Sequence, residues 1–509
     1  MNVDYGLLWH SYSNIFTLNI MFLIFVGVTA GIVIGALPGL TATMGVALLI
    51  PLTFGRPPVA SLSMLMGIYT GAMYGGAISA ILIRTPGTPA AAATVLEGYP
   101  MCQKGQAGSA MAMSLFSSFV GGIIGCIIMI FMSPLISGFA LEFGPVEYFA
   151  LAIFGLSVII SVSGRSIVKG VMVGFFGLLL ASMGLDPISG YPRFTFGFSE
   201  LMEGPNFIPT LIGLFAVSEV IANIEKMLKT HKVKAALNQY LPTWNEIKRS
   251  TGALMKGSLI GTFVGAIPGA GGDIAAFIAY ADTKRSSKTP ELFGTGMVEG
   301  VAATESANNS CQGGAMIPLL SLGVPGDAVT AVLLGAFVIQ GLQPGPLLYK
   351  EHMDLVYAIF ASMVVAQFVM QFVGMVGMRF FAKVIMIENS ILMPMILVLS
   401  MIGSFAMRGS VFDVGLTVVF GIIGFIMQKY DYPLSPILLA LILGPMAESN
   451  LRRALVISSG HASILFSRPI AVVLMVLAVT FLVLSFFTHK KIERRLAELA
   501  VKDADMTLT

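Results

Sequence analysis

Long apolar runs separated by short clusters of glycine, proline and charge organise this chain. They fall near 15–36, 41–54, 59–83, 108–132, 146–163, 166–184, 207–222, 252–267, 271–281, 312–322, 327–343, 355–378, 389–407, 411–428, 433–446 and 469–488. A helix that crosses a bilayer needs about 20 apolar residues, and several runs reach that length. A membrane β-barrel would show short strands of alternating polarity instead. Unbroken runs predict helices, which satisfy their own backbone in lipid. The runs at 41–54, 252–267, 271–281, 312–322 and 327–343 are too short and read as half-helices or re-entrant segments. The expectation is an all-α polytopic membrane protein with about 11–12 transmembrane segments.

Landmarks recur along the runs. GALPGL at Gly35–Leu40 returns as GAIPGA at Gly265–Ala270, an offset of 230. The GGA at Gly75 returns at Gly313, and Pro86-Gly87 (in RTPGTP) returns as Pro325-Gly326 (in GVPGD). Gly170 and Asp186 pair with Gly415 and Asp431 at one offset of 245. Shared order with a slowly growing offset argues for duplication. It divides the chain into a first transmembrane repeat (1–222), a linker (223–250), a second repeat (251–488) and a tail (489–509).

Composition agrees with a membrane protein. Of 509 residues, 56% are hydrophobic and 11% charged, where soluble domains carry about 25% charged; mean hydropathy is +0.88. The net charge of +3 says little, but its placement says more. The linker holds Lys226, Lys229, Lys232, Lys234, Lys248 and Arg249, and the tail holds Lys490, Lys491, Arg494, Arg495 and Lys502. Both are expected to be cytoplasmic. No Lys or Arg precedes Arg56, so the N-terminus is expected on the side opposite the cytoplasm, without a cleaved signal peptide. An odd number of crossings per half then gives inverted-topology repeats. The stretch 252–282 leaves at Lys284, Arg285 and Lys288, so it reads as dipping into the membrane and returning, turning at PGAGG. Three scattered cysteines and five histidines without an HExxH pair give neither a disulfide framework nor a zinc site.

Broken helices at membrane depth expose N–H groups to anions and carbonyls to cations. This makes Pro38, Gly39, Thr41 and Thr43 of the first break candidate substrate ligands, with Pro268, Gly269, Gly271 and Gly272 of the second. Arg84, Thr85, Gly87 and Thr88 join them from RTPGTP, and Pro325 and Gly326 from GVPGD. Candidate cation ligands are the freed carbonyl of Gly35 together with Asp273, Asn308, Asn309, Ser310 and Asp327. Other readings stand beside these. A Pro-Gly break also serves tight helix packing, and the polar run Thr304–Ser310 reads either as pathway lining or as a solvated loop. Arg84 reads either as a bidentate carboxylate ligand or as a snorkelling anchor. Asp186 and Asp431 read as turn or cap residues, Glu142 and Glu147 as loop residues, and Trp9 and Trp244 as interfacial anchors. No GxSxG or P-loop occurs in a suitable context, so an enzyme is a remote alternative.

The strings GALPGLTATMGVALLIPLTFG, RTPGTPAAAAT, GAIPGAGGDIAAFIAY and ATESANNSCQGGAMIPLLSLGVPGD resemble the large membrane subunit of tripartite tricarboxylate transporters, over nearly the whole chain. The resemblance implies an inner-membrane secondary transporter that imports citrate-like di- or tricarboxylates. It implies a small four-helix membrane subunit and a periplasmic substrate-binding protein as partners. It also implies Na+ or H+ as coupling ion with no other cofactor and, by analogy with other binding-protein-dependent carriers, an elevator motion. A single-component carboxylate or cation/proton carrier is the alternative within transport.

Overall fold

The computed structural model describes residues 5–162, 166–186, 189–225, 237, 239–387, 389–483 and 486. Lys226, Lys229, Lys232, Lys234 and the basic tail lie outside them. The chain begins with α1 (Tyr5–Ile15), α2 (Leu18–Ala36), α3 (Ala42–Leu49), α4 (Pro58–Ile83), α5 (Val95–Gln103), α6 (Ala107–Ala140), α7 (Pro145–Val162) and α8 (Ile167–Ala181). A short antiparallel hairpin follows, in which β1 (Gly184–Leu185) pairs with β2 (Pro192–Arg193). Next come α9 (Phe207–Leu211), a π-helical stretch (Ile212–Val217) and α10 (Ser218–Glu225), which run on without interruption. The second half holds α11 (Trp244–Gly265), α12 (Gly271–Ser286), α13 (Val298–Leu322), α14 (Ala328–Ile339), α15 (Pro346–Glu351), α16 (Met353–Val384), α17 (Asn389–Arg408), α18 (Val411–Lys429) and α19 (Ser435–Ile457).

Five described helices are long and apolar enough to cross a bilayer: α2, α4, α6, α16 and α18. The all-α polytopic reading holds. In α4, 94% of the most apolar window is buried, against 28% in α18. The first is enclosed by protein, and the second presents most of its apolar surface outward.

Two compact units divide the chain, one from 1–142 and 207–425, the other from 143–206 and 426–509. Each draws on both halves of the sequence.

The larger unit is built on two helix pairs packed alike. On α2, Gly27, Gly31 and Gly35 lie against the backbone carbonyls of Met64, Ile68 and Ala72 in α4. On α11, Gly257, Gly261 and Gly265 lie against those of Ala303, Ala307 and Cys311 in α13. Every glycine pair differs by 230 and every carbonyl pair by 239. A Cβ at any of the six would overlap its carbonyl, so glycine every fourth residue is what lets these backbones touch. Gly121 and Gly125 of α6 press in the same way on Ser306 and Ser310 of α13. The packing also shifts the sequence register by one. Gly75 meets the Ile32 carbonyl and Gly314 the Thr262 carbonyl, so Gly75 corresponds to Gly314 rather than Gly313.

Two local expectations are corrected. The run 312–322 is not a half-helix but the second half of α13, which starts at Val298. Its polar first half stays helical because the side chains find partners inside the protein. Glu147 lies not in a loop but in the first turn of α7, where its carboxylate accepts from Gly144 N at 2.9 Å.

In the smaller unit, Gly177 of α8 packs on Ile437 and Ala440 of α19, and Gly444 of α19 on Ala181. Asp186 caps the hairpin turn, accepting from Ser189 N at 2.8 Å. It also closes a ring of ion pairs. Arg193 grips Glu448 through two contacts at 2.7 and 3.2 Å and lies 3.5 Å from Asp186. Arg452 reaches Asp186 and Glu448, each at 2.8 Å.

Candidate functional site

The same turn occurs twice in the larger unit. Proline disfavours the helical conformation in the residue before it, and Leu37 ends α2 in an extended conformation. Gly39 then turns with φ +89°, and Leu40 N bonds back to Leu37 O at 3.1 Å. In the second half Gly269 has φ +83°, and Ala270 N bonds back to Ile267 O at 3.1 Å. Left-handed φ is open to glycine at little steric expense, which accounts for Gly after Pro in both motifs.

Beyond the turns the halves diverge. Thr41 caps α3, its hydroxyl accepting from Met44 N at 3.2 Å. No side chain caps α12, which opens on Gly271 and carries Asp273 in its first turn. The first tip lies by Asn223 of α10, whose Nδ2 would be 2.9 Å from a Cβ on Gly39. The second tip donates from Gly269 N to Gly326 O at 2.6 Å. Where α11 and α12 fold back, Lys256 meets Asp282 at 3.3 Å, so the two arms form an antiparallel hairpin.

The Pro-Gly breaks after α4 and α13 close over the first ones. Gly87 lies directly against the Gly35 carbonyl, and Gly326 against that of Gly265. Gly87 N also donates to Gly76 O at 3.2 Å, which folds Thr88 onto α4. Asp327 caps α14: Oδ1 accepts from Thr330 N and Oγ1, each at 2.7 Å. Its other oxygen, Oδ2, accepts from Tyr69 of α4 at 2.6 Å.

The halves meet beside α4. A Cβ on Gly272 would be 2.9 Å from Asn308 Oδ1 and 3.5 Å from Ala90 of the 3-10 turn Pro89–Ala92. Asn308 Nδ2 donates to Met73 O at 3.2 Å. Two buried oxygens there, Asn308 Oδ1 and Thr88 Oγ1, have no hydrogen-bond partner among the described residues. They lie one helical turn apart along α4, by Met73 and by Gly76. An orphaned buried acceptor is costly, and oxygens of this type suit a desolvated monovalent cation or a polar ligand.

Behind this point α13 carries a continuous polar spine. Glu305 accepts from Thr94 and, at 3.1 Å, from Ser118 of α6. Asn309 donates to Ser118 at 2.8 Å and accepts from Gln312 at 2.9 Å. Gln312 in turn accepts from Thr70 of α4 at 3.1 Å and Gln367 of α16 at 3.4 Å. All are buried. The run Thr304–Ser310 is therefore core, and the solvated-loop reading fails because every residue of it is buried within helix α13.

The structure gathers Gly35 with Gly87, Gly269 with Gly326, and Gly272 with Asn308. Gly271 lies beside both Asp273 and Asp327. It does not bring Arg84, Thr85, Asn309 or Ser310 to this point. Arg84, in left-handed conformation at the end of α4, is exposed with its guanidinium 5.8 Å from the Tyr99 ring centre. Thr85 bonds to Ile83 O at 3.3 Å. Ser310 sits between α6 and α11 and bonds to Ala307 O at 3.2 Å. Asn309 spends its amide on the spine.

Spacing along the chain gives no notice of Tyr69, Thr70, Thr94, Ser118, Gln312, Gln367 or Glu97 as members of these networks. Glu97 is fully buried on α5. It accepts from Tyr280 at 2.7 Å and from the backbone N–H groups of Gly294, Gly296 (2.7 Å) and Met297 (2.7 Å). One carboxylate thus moulds the turn that starts α13. For Tyr69 and Thr70 one signal does exist: at the 239-residue offset of the packed carbonyls they align with Asn308 and Asn309.

The sequence model of the Tripartite tricarboxylate transporter TctA family matches residues 21–439. An uncharacterized 52.8 kDa protein in the TAR-I ttuC' 3' region of Agrobacterium vitis is 38% identical over 92% of this chain and 94% of its own length. An uncharacterized protein in the TAR-II ttuC' 3' region of the same organism is 35% identical over 46% of this chain and 97% of its own. No solved structure matches the chain.

Proposed function

The chain belongs to the tripartite tricarboxylate transporter TctA family, and on that premise we propose that it is the permease subunit of an ion-driven importer of di- or tricarboxylates. Membership makes it a membrane component of a transport system with further subunits. The finer reading is ours. A periplasmic binding protein delivers the carboxylate, a small four-helix subunit accompanies the permease in the inner membrane, and Na+ or H+ is the coupling ion. The N-terminus is periplasmic and the C-terminus cytoplasmic, the halves are inverted repeats, and the motion is elevator-type.

Physics supplies the need for co-ions. Moving one charge across 100 mV takes about 2.3 kcal/mol, so a multiply charged anion enters a negative-inside cell only with cations. The observation that carries the reading is the pair of orphaned oxygens, Thr88 Oγ1 and Asn308 Oδ1, where breaks from both halves converge. Carboxylate binds at the helix starts of the breaks, Thr41 and Thr43 on one side and Gly271 and Gly272 on the other. Cations bind on the free oxygens beside them, with Gly35, Asp273 and Asp327 as neighbours.

The test is radiolabelled carboxylate uptake into proteoliposomes holding both membrane subunits, with and without binding protein and an imposed Na+ or H+ gradient. Uptake that requires both is expected. Uptake without binding protein would make the chain a single-component carrier, and no uptake under any gradient would end the proposal.

A further inference from the structure

The segment between β1 and α9 exposes more aromatic surface than its length explains. Tyr191 is 73% exposed, Phe196 74%, Phe194 54% and Phe198 52%. Phe194 and Phe196 hold φ of 52° and 50°, a left-handed conformation that bulky residues rarely adopt. Two strained residues in three, both with rings outward, are held rather than left to relax. Leu185 N bonds to Met202 O at 2.8 Å and Asp186 N to Tyr191 O at 2.9 Å. Leu201 anchors the far end at 6% exposure. Arg193, next to Phe194, is fixed by Glu448 and Asp186, and Arg452 completes that ring.

Charge on its flanks gives the segment a side. The helix α8 starts beside Arg165 and Lys169, and α9 with α10 leads into the basic stretch 223–250. Both flanking ends are cytoplasmic by the positive-inside rule, so 184–206 faces the opposite compartment. Its own charge argues against lipid. Residues 189–206 contain no lysine, their single arginine is held in the ion ring, and they carry Glu200 and Glu203. Acidic side chains are expensive to hold against lipid hydrocarbon. A fluid bilayer also has no use for a ring geometry fixed against backbone strain, whereas a folded partner gains affinity from it.

We propose that Tyr191 to Phe198 is the docking surface for the soluble protein that delivers substrate to this permease. That partner presents apolar sockets for Tyr191 and Phe196, rimmed by Lys or Arg opposite Glu200 and Glu203. Buried aromatic anchors inside a charged rim are the usual seat of interface energy. The proposal rests on the reading that a binding protein supplies the carboxylate.

The experiment titrates purified cognate binding protein onto proteoliposomes of the complete transporter. The double variant Tyr191→Ala/Phe196→Ala is expected to raise the half-saturating binding-protein concentration at least about tenfold at unchanged maximal rate. Glu200→Lys is expected to raise it severalfold. A photo-crosslinking benzophenone at position 196 is expected to capture the binding protein, which makes the answer independent of how the double variant folds. Titrations that overlay the wild type, or crosslinks to lipid alone, overturn the docking assignment. Wild-type uptake that needs no binding protein overturns the functional reading instead, so the two failures are distinguishable.

Discussion

Tyr69 donates its hydroxyl to Asp327 at 2.6 Å, joining the middle of α4 to the cap of α14 across 258 positions of sequence. The bond ties a helix of the first half to the second Pro-Gly break of the other. Tyr69→Phe removes the donor and leaves Asp327 Oδ2 short of a partner. A hydrogen bond to a charged group is worth about 1.5–3 kcal/mol. We expect a destabilisation of that order, read as a lower unfolding midpoint in detergent. A midpoint equal to wild type would mean that the bond contributes nothing.

Thr88→Val should separate function from stability. The Thr88 hydroxyl has no partner to lose among the described residues, so the near-isosteric change should leave stability unchanged or raise it, by up to about 1–3 kcal/mol of relieved desolvation. The half-saturating concentration of the coupling ion should nevertheless rise about fivefold or more, a change of about 1 kcal/mol in ion affinity. Asn309→Ala should do the reverse, because it strips Ser118 and Gln312 of partners. Its expected effect is a loss of about 2–4 kcal/mol in stability. An unchanged ion dependence in Thr88→Val refutes the role given to its oxygen.

Glycine substitutions should sort by the space around them. Gly31→Val and Gly261→Val force side chains into the carbonyls of Ile68 and Ala307, and each should cost about 3 kcal/mol or more by splitting its helix pair. At Gly252, also on α11, an added Cβ would meet nothing within 4 Å. Gly252→Ala should therefore stabilise by about 0.5–1 kcal/mol through helix propensity. Thermal unfolding of the three variants checks the order, and a Gly261→Val protein as stable as Gly252→Ala would contradict the packing.

Glu97→Gln keeps the shape but halves the acceptor capacity facing four donors. Buried donors without partners cost about 1–3 kcal/mol each. The turn at 294–297 should open, with faster limited proteolysis there and a lower unfolding midpoint. Proteolysis at the wild-type rate would show that the carboxylate does not hold the turn.

The helical membrane fold and both glycine-proline turns were readable because their signals are local. A proline unseats the residue before it, a glycine takes the positive φ, and apolar runs report length. The recurrence of the glycine-packed helix pair was readable from spacing, yet the register slipped by one at Gly75, because repeated glycines look alike until their carbonyl partners are known. The Glu305 spine was half legible. Its polar residues stood out in an apolar half, but their partners Thr70, Ser118 and Gln367 come from three other helices, and no single window shows that convergence. Glu97 was invisible for a different reason. An isolated glutamate in a short helix gives no hint that donors far along the chain, Tyr280 and the turn at 294–297, close around it.

The glycine ladders also limit what can move. Along α2 and α11 every fourth residue lacks a side chain where the partner's carbonyls protrude, so each helix sits on its neighbour like a key cut for one lock position. Sliding by a single residue would drive Val28 or Ile32 into backbone. Neither pair can act as its own sliding bearing, and any rearrangement that accompanies transport must carry α2 with α4, and α11 with α13, as intact blocks.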